Sequence, residues 1–386
     1  MDKVDPKVDE AIETLNMKDG PTRRRLIRGT GLVSATAAAS ALLAACGSSS
    51  SSGAAAKATA GSFPSTPAWQ FYFVNHVTTN TFFVPTQYGY SDAAALLHLP
   101  TPKWTGSTNS IAAQMVSAIN AAVAAKASGI ATTLIDSTSF TTPVANAMSA
   151  GIPVVSYNAD GTITKGVPDI GTNRLAYVGQ ALYVSGQQLG HKIQSLVTKP
   201  GHVVIFIATP GTANIQPRYD GANAVLSPLG YTVSEIATGA ATGVELGAMK
   251  AYLLGNKSVK GAFAVDGGST SFLGQALSET GLTGLPNGGF DTEPLTLSNV
   301  KSGATDFTIY QDPYLQGFLP VLYLYLYNIS GGTLSPSDTD TGLSFITKSN
   351  VSEYDIASRY QGSTTAQKYI PRPSGAISAP IATTSS

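Results

Sequence analysis

From Gly288 to Gly317 the chain reads GGFDTEPLTLSNVKSGATDFTIYQDPYLQG, an order of residue types that few folds accommodate. An apolar strand ends at Phe290 and a carboxylate, Asp291, follows it. A helical segment comes next, then a second strand from Phe307 to Tyr310 that ends in the amide Gln311. Strand, helix and strand in that order make a right-handed βαβ unit. Both strand ends then open on one crevice, the place where ligands bind in open parallel sheets. Asp291 and Gln311 are therefore the first site candidates, with helix capping as the alternative role for Asp291.

The same alternation runs through the rest of the chain. An apolar run at Trp69 to Val74 precedes a helical segment from Val84 to Leu97. Ser110 to Ala127 reads as a helix because Ile111, Met115, Ile119 and Val123 recur every four residues, with Gly129 as its stop. Strands at Ile130 to Ile135 and Val154 to Tyr157 flank a short helix from Ala145 to Ala150. A second series begins at Leu175 to Val178. It has helices near Tyr183 to Val197, Ala222 to Leu229 and Val244 to Leu254, and strands at Val203 to Ala208, Tyr231 to Ile236 and Ala262 to Val265. The pattern predicts an α/β fold of two doubly wound parallel-sheet lobes.

The chain has 386 residues, 43% of them hydrophobic and 12% charged, enough for two cores. Its first 45 residues hold seven Lys/Arg and six Asp/Glu, leaving 16 and 17 in the body, a net of −1. So even a balance provides no basic field for nucleic acid and no polybasic patch for anionic lipid, and favours a neutral, polar small molecule. His76, His98, His191 and His202 have neither HExxH nor paired spacing, so no metal is expected, and no cofactor motif is present.

Residues 1–45 have the layout of a signal peptide: a polar leader, Arg23-Arg24-Arg25-Leu26, then an uncharged Ala-rich run from Gly29 to Ala45. That run is too short and too Ala-rich for a permanent span, which needs about 20 strongly apolar residues. The arginines resemble a twin-arginine export signal. Leu43-Ala44-Ala45-Cys46 resembles a bacterial lipobox, which implies a lipid on Cys46, the only cysteine. An ordinary buried cysteine is the alternative, but the Gly/Ser/Ala run that follows cannot pack around a thiol. Residues 46–67 read as a flexible tether to the membrane.

A more specific resemblance is carried by several motifs in order. They are Asn80-Thr81-Phe82-Phe83, Gly151-Ile152-Pro153-Val154-Val155, Tyr177-Val178-Gly179-Gln180, Arg218-Tyr219-Asp220-Gly221, Gly289-Phe290-Asp291 and Gln311-Asp312-Pro313 through Gly317. Together these resemble the periplasmic monosaccharide-binding proteins of the ribose and galactose type, the solute receptors of sugar ABC transporters. The resemblance covers Trp69 to about Val351. It implies the type I periplasmic-binding-protein fold, with the two lobes joined by a hinge crossed near Val178 to Ala181, Gln311 to Pro313 and Thr341 to Leu343. The lobes would then be residues 68–180 with 312–342, and 181–311 with 343–386.

Position by position, the resemblance implies ligand contacts from Asn80, Phe82, Phe83, Asp291 and Gln311, and from the strand-end Asp136 and Asp266. Asn158 stands where ribose binders carry an Asp, and Ala159 replaces the Arg that follows it there. Asp160 is a further candidate nearby, and Gln216 or Arg218 fills the place of a ligand arginine. The residue types suit a sugar, since aromatic rings cover its C–H faces while carboxylate, amide and guanidinium groups grip hydroxyls in pairs. For the two phenylalanines the alternative is core packing, and one of them is expected to be core. For Asp136 and Asp266 it is helix capping.

The implied function is a monomeric extracytoplasmic lipoprotein that captures a monosaccharide and passes it to an ABC permease. A sugar sensor acting on a membrane receptor shares every one of these features. A glycosidase would use two of Asp136, Asp266 and Asp291 as its carboxylate pair. Carboxylates mixed with amides suit gripping better than proton transfer, and no nucleophile motif is present.

Overall fold

A computed structural model describes residues 67–161, 172–241 and 243–354. The expected signal peptide, Cys46 and nearly all of the tether lie outside the described residues, as does the segment 355–386 assigned to the second lobe.

The first series is β1 (Phe71–Asn75), a 3-10 turn (Thr81–Phe83), α1 (Val84–Leu96), β2 (Lys103–Gly106), α2 (Ala112–Ala124), β3 (Gly129–Leu134), α3 (Thr141–Ser149), β4 (Val154–Asp160) and β5 (Ala176–Gly179). The second is α4 (Leu182–Leu196), β6 (His202–Ile207), α5 (Gln216–Leu226), β7 (Thr232–Ala237), α6 (Glu245–Gly255), β8 (Gly261–Ala264), α7 (Gly267–Glu279), β9 (Asn287–Phe290), α8 (Pro294–Ser302) and β10 (Phe307–Tyr310). After these come α9 (Leu315–Ile329), β11 (Thr339–Asp340) and β12 (Ser344–Thr347).

These strands form two six-stranded sheets, ordered β11-β5-β4-β3-β1-β2 and β12-β10-β9-β8-β6-β7. Every pairing is parallel except β10 with β12. The chain therefore builds two parallel-sheet α/β lobes, each doubly wound. It leaves the first sheet after β5, returns to that lobe as α9 and β11 after β10, and then adds β12 to the second sheet.

Burial on both sheet faces explains the nearly unbroken apolar strands. In β1, Phe71 and Phe73 pack against α1 and α9 side chains such as Tyr90 and Leu324, while Val74 faces Met115 and Ile119 of α2. In β6, Val203, Ile205 and Ile207 meet Leu189 and Ile193 of α4, whereas Val204 and Phe206 meet Met249 and Leu253 of α6. Successive side chains on a strand point to opposite faces, and each face has its own helix layer.

Helices α7 and α9 and the strands β2, β11 and β12 depart from the sequence reading. Helix α7 begins Gly-Gly-Ser-Thr-Ser, a poor helix former, and starts because Asp266 caps it. Helix α9 contains Pro320, and Tyr323, Tyr325 and Tyr327 alternate as they would in a strand, yet Pro320, Val321, Leu324 and Tyr325 form its buried face. The edge strand β2 is four residues long and only partly buried, too short to leave a pattern.

Candidate functional site

In each sheet the strand order reverses between the first and third strands, β1/β3 and β6/β8, and ligands bind beyond the carboxyl ends at such a reversal. An aspartate lies two residues past the third strand in both lobes. Asp136 Oδ1 accepts the backbone N–H of Thr138 at 2.9 Å and of Ser139 at 2.6 Å. Asp266 Oδ1 accepts Ser269 N at 2.9 Å, while its Oδ2 accepts Ala208 N at 2.8 Å and Ser269 Oγ at 3.0 Å. Asp266 thus caps α7, whereas Asp136 holds the turn before α3, which starts at Thr141 with no side-chain cap. Burial pushes the Asp266 carboxyl up to about 6, against three hydrogen bonds that favour its charged form. Asp136 is half-buried; burial raises it, but hydrogen bonds from Ser139 and Thr138 outweigh that and leave it below its ordinary value.

A run of buried polar side chains begins at the end of β4. Asn158 Nδ2 donates to Gln316 Oε1 at 3.1 Å. Gln316 Nε2 is shared among Gln311 O at 3.0 Å, Gln311 Oε1 at 3.2 Å and Thr341 Oγ1 at 3.3 Å. Gln311 Nε2 then donates to Asp291 Oδ1 at 2.6 Å. Asn158 and Asp291 both have left-handed backbone, with φ of 62° and 75°. Asn and Asp tolerate that conformation better than bulkier residues, at a cost of order 1 kcal/mol, and such residues gather at functional sites.

Arg218 projects from the first turn of α5 into the same region and is 2% exposed. Its guanidinium carbon lies 4.1 Å from the Phe290 ring centroid, a stacking geometry worth roughly 2 kcal/mol when desolvated. Nη1 donates to Val265 O at 3.0 Å and Nη2 to Gln180 Oε1 at 3.1 Å, leaving Nε buried without a partner. Burial lowers the Arg218 pKa, with Asp291 the largest opposing charge. Burial also raises Asp291 above the usual carboxylate range, and Arg218 is the largest influence against it.

Of the residues singled out from sequence, Asn158, Arg218, Asp266, Asp291 and Gln311 are thus brought into one buried region. The others make contacts of their own. Asn80 is exposed and its Oδ1 accepts Phe82 N at 2.9 Å. Phe83 is core, edge-on to His76 and Tyr157, while Phe82 is half-buried against it with centroids 4.7 Å apart. Gln216 spans Gly211 N at 2.6 Å and Asp220 Oδ1 at 3.1 Å. Asp160 is ion-paired with Arg174, whose Nε donates to Oδ1 at 2.6 Å, and also accepts the Ser156 hydroxyl. Arg174 reaches on to Asp338 at 2.8 Å, so Asp160 anchors β5 and the approach to β11.

Four residues went unassigned in the sequence reading. Gln180 and Gln316 lie inside quoted motifs, but single-sequence spacing gives no sign of where an amide points. His76 was weighed only as a metal ligand; it is buried between Thr133 Oγ1 at 3.1 Å and Asn214 Nδ2 at 3.5 Å. Glu293 stands just before Pro294 at the start of α8, and its carboxyl lies against Gly267, where any β-carbon would overlap it. No group of three His, Cys, Asp or Glu among the described residues has metal-holding geometry.

The family model described as "Periplasmic binding protein domain" matches residues 71–331. The xylose/arabinose-binding protein XylF of Sulfolobus acidocaldarius is 47% identical over 318 residues, 80% of this chain and 78% of its own. Among solved structures, an ABC-transporter solute-binding protein from Burkholderia graminis, in complex with D-arabinose, aligns over 76% of this chain and 100% of its own, with TM-score 0.69 and 23% identity. A carbohydrate transporter from Acidothermus cellulolyticus, in complex with myo-inositol, aligns over 76% and 100%, with TM-score 0.65 and 25% identity. With the family model covering ten of the twelve strands and a relative this similar over most of both chains, the chain belongs to the periplasmic binding protein family.

Proposed function

We propose that this chain is an extracytoplasmic receptor that closes on a neutral monosaccharide and delivers it to an ABC permease, held at the membrane by a lipid on Cys46. The observation that carries this reading is the buried hydrogen-bonded run from Asn158 through Gln316 and Gln311 to Asp291, beside Arg218. It offers directional donors and acceptors with one guanidinium and few fixed charges, which suits hydroxyls better than an anion. The 47% identical relative is named for xylose and arabinose, so pentoses head the substrate class. The chain is a binding protein and not an enzyme, as that relative and the family model are.

The lobes are assigned as residues 68–180 with 312–342 and 181–311 with 343–386, and the cleft between them takes the sugar. An enclosed site of this kind supports roughly −8 to −11 kcal/mol, micromolar to ten-nanomolar dissociation. A thermal-shift screen of pentoses, hexoses and polyols tests the reading. A sugar at 100 times its dissociation constant adds about 2.7 kcal/mol of stability, and xylose or arabinose should give the largest shift. No shift with any sugar would refute sugar capture. In the same cells Cys46→Ala should move the protein from the membrane to the soluble fraction; unchanged attachment would refute the lipid anchor.

A further inference from the structure

We propose that Glu293 is a ligand-contacting residue of the cleft, donating a hydrogen bond from its carboxyl O–H to an oxygen of the bound sugar and so helping to determine which sugar is held. The inference rests on the sugar-binding reading above, and it adds a residue that no family motif marks.

The geometry begins at the N-terminus of α7. Asp266 caps that helix, and Gly267, its first residue, gives a backbone hydrogen bond to Asp291. Because residue 267 has no side chain, the Glu293 carboxyl can lie directly over this helix end. Three carboxyls, Asp266 after β8 and Asp291 and Glu293 after β9, therefore meet at the carboxyl ends of these strands, where Arg218 enters from α5. Two polar atoms there lack partners: Glu293 Oε2 and Arg218 Nε, both shut off from solvent. An unpaired buried donor or acceptor costs roughly 1 to 3 kcal/mol, a cost that a ligand hydroxyl can relieve.

The protonation state follows from the surroundings. Burial pushes the Glu293 carboxyl well above the usual range, and Asp291 and Asp266 push it further, with its own backbone N–H and then Arg218 opposing. Glu245 of α6, lying against the neighbouring Gly268, adds no cation nearby. A neutral carboxylic acid carries one O–H donor, so beside the acceptor-rich Asp291 and Asp266 it contributes the opposite polarity. A sugar hydroxyl both donates and accepts, and a ring oxygen only accepts. A site with a carboxylic acid among carboxylates can therefore tell an acceptor position from a donor position on the sugar.

Glu293→Gln and Glu293→Ala, titrated calorimetrically with xylose and with arabinose at several pH values, test this. The amide keeps a donor of similar reach, so Glu293→Gln should bind within about threefold of wild type, whereas Glu293→Ala should bind at least tenfold more weakly. Wild-type affinity should fall as pH rises through the Glu293 titration, and Glu293→Gln should lose that part of the pH dependence. Monodeoxy analogues complete a double-mutant cycle: one of them should lose affinity in wild type yet bind Glu293→Ala no worse than the parent sugar does. A structural role for Glu293 would not produce that coupling. If wild type binds and Glu293→Ala matches it, or no analogue couples to Glu293, this inference is overturned and sugar capture stands. If Glu293→Ala fails to fold, the Glu293→Gln pH profile decides. If wild type binds none of the sugars, both readings fall.

Discussion

Asp266 beside the second sheet and His76 beside the first are buried ionisable groups, and their stability effects oppose each other. The Asp266 pKa is raised from 3.8 to about 6. Its contribution is fully present below pH 3.8 and is lost as pH rises to about 6, because the unfolded carboxyl ionises first. That amounts to about 3 kcal/mol. Burial lowers His76 from 6.5 to about 4; its ring stays neutral when folded while the unfolded ring protonates, so it removes about 3 kcal/mol as pH falls over that window. Asn214 donates to Nε2, which leaves Nδ1 as the N–H that donates to Thr133. The two effects nearly cancel in wild type, and single substitutions expose them. Relative to wild type, Asp266→Asn should lose more melting temperature at pH 4 than at pH 7, and His76→Gln should lose less at pH 4 than at pH 7. Parallel melting curves across that range would show that neither group titrates as its burial requires. Neither environment was legible in the sequence. Asp266 could be placed at a strand end, but that its Oδ2 reaches across to Ala208 depends on the pairing of β6 with β8.

At the scale of elements, the central β strands were legible because two buried faces require apolar runs, unlike the short edge strands, and α2 because its apolar residues recur at helical spacing. Helices α7 and α9 were not, since a cap and a tertiary partner override their weak local preference. Close helix approach was equally hidden. Helices α4 and α5 meet at reciprocal glycines: a β-carbon at Gly186 would overlap the Arg218 backbone, and one at Gly221 would overlap Tyr183 O and approach Gln187 N. Backbone contact at this point fixes where α5 starts, and hence where Arg218 enters the site. Gly186→Ala must push the helices apart, which should cost about 1 to 3 kcal/mol of stability. The displacement should also move the guanidinium off Phe290 and weaken sugar binding. Chemical denaturation and calorimetry read the two effects separately. Loss of stability with wild-type affinity would mean that the contact does not position Arg218.

For the whole molecule, the three places where the chain passes between the two lobes, after β5, β10 and β11, are tied together by hydrogen bonds that involve Gln180 and Thr341. Gln180 Nε2 donates to Gly342 O at 3.2 Å while its Oε1 accepts Arg218. Thr341 N donates to Gly179 O at 3.0 Å, and Thr341 Oγ1 to Gln311 O at 2.7 Å. Away from the crossings the two sheets' carboxyl edges meet through Ala213 N to Ile135 O at 3.0 Å and through Asn214 to His76. Two hydrogen bonds at that rim are worth about 1 kcal/mol each, too little to hold a cleft shut against the freedom gained on opening. A ligand gripped by both edges adds differential affinity for the closed state, and only differential affinity shifts such an equilibrium. Small-angle scattering should therefore give a smaller radius of gyration with saturating xylose or arabinose than without. Asp291→Ala removes the carboxylate that ends the run from Asn158, and should weaken binding by about 2 to 4 kcal/mol. At a sugar concentration that saturates wild type but not the variant, Asp291→Ala should keep the larger radius. An unchanged radius on saturation of wild type, or wild-type affinity in Asp291→Ala, would rule out closure driven by a sugar bridging the two lobes.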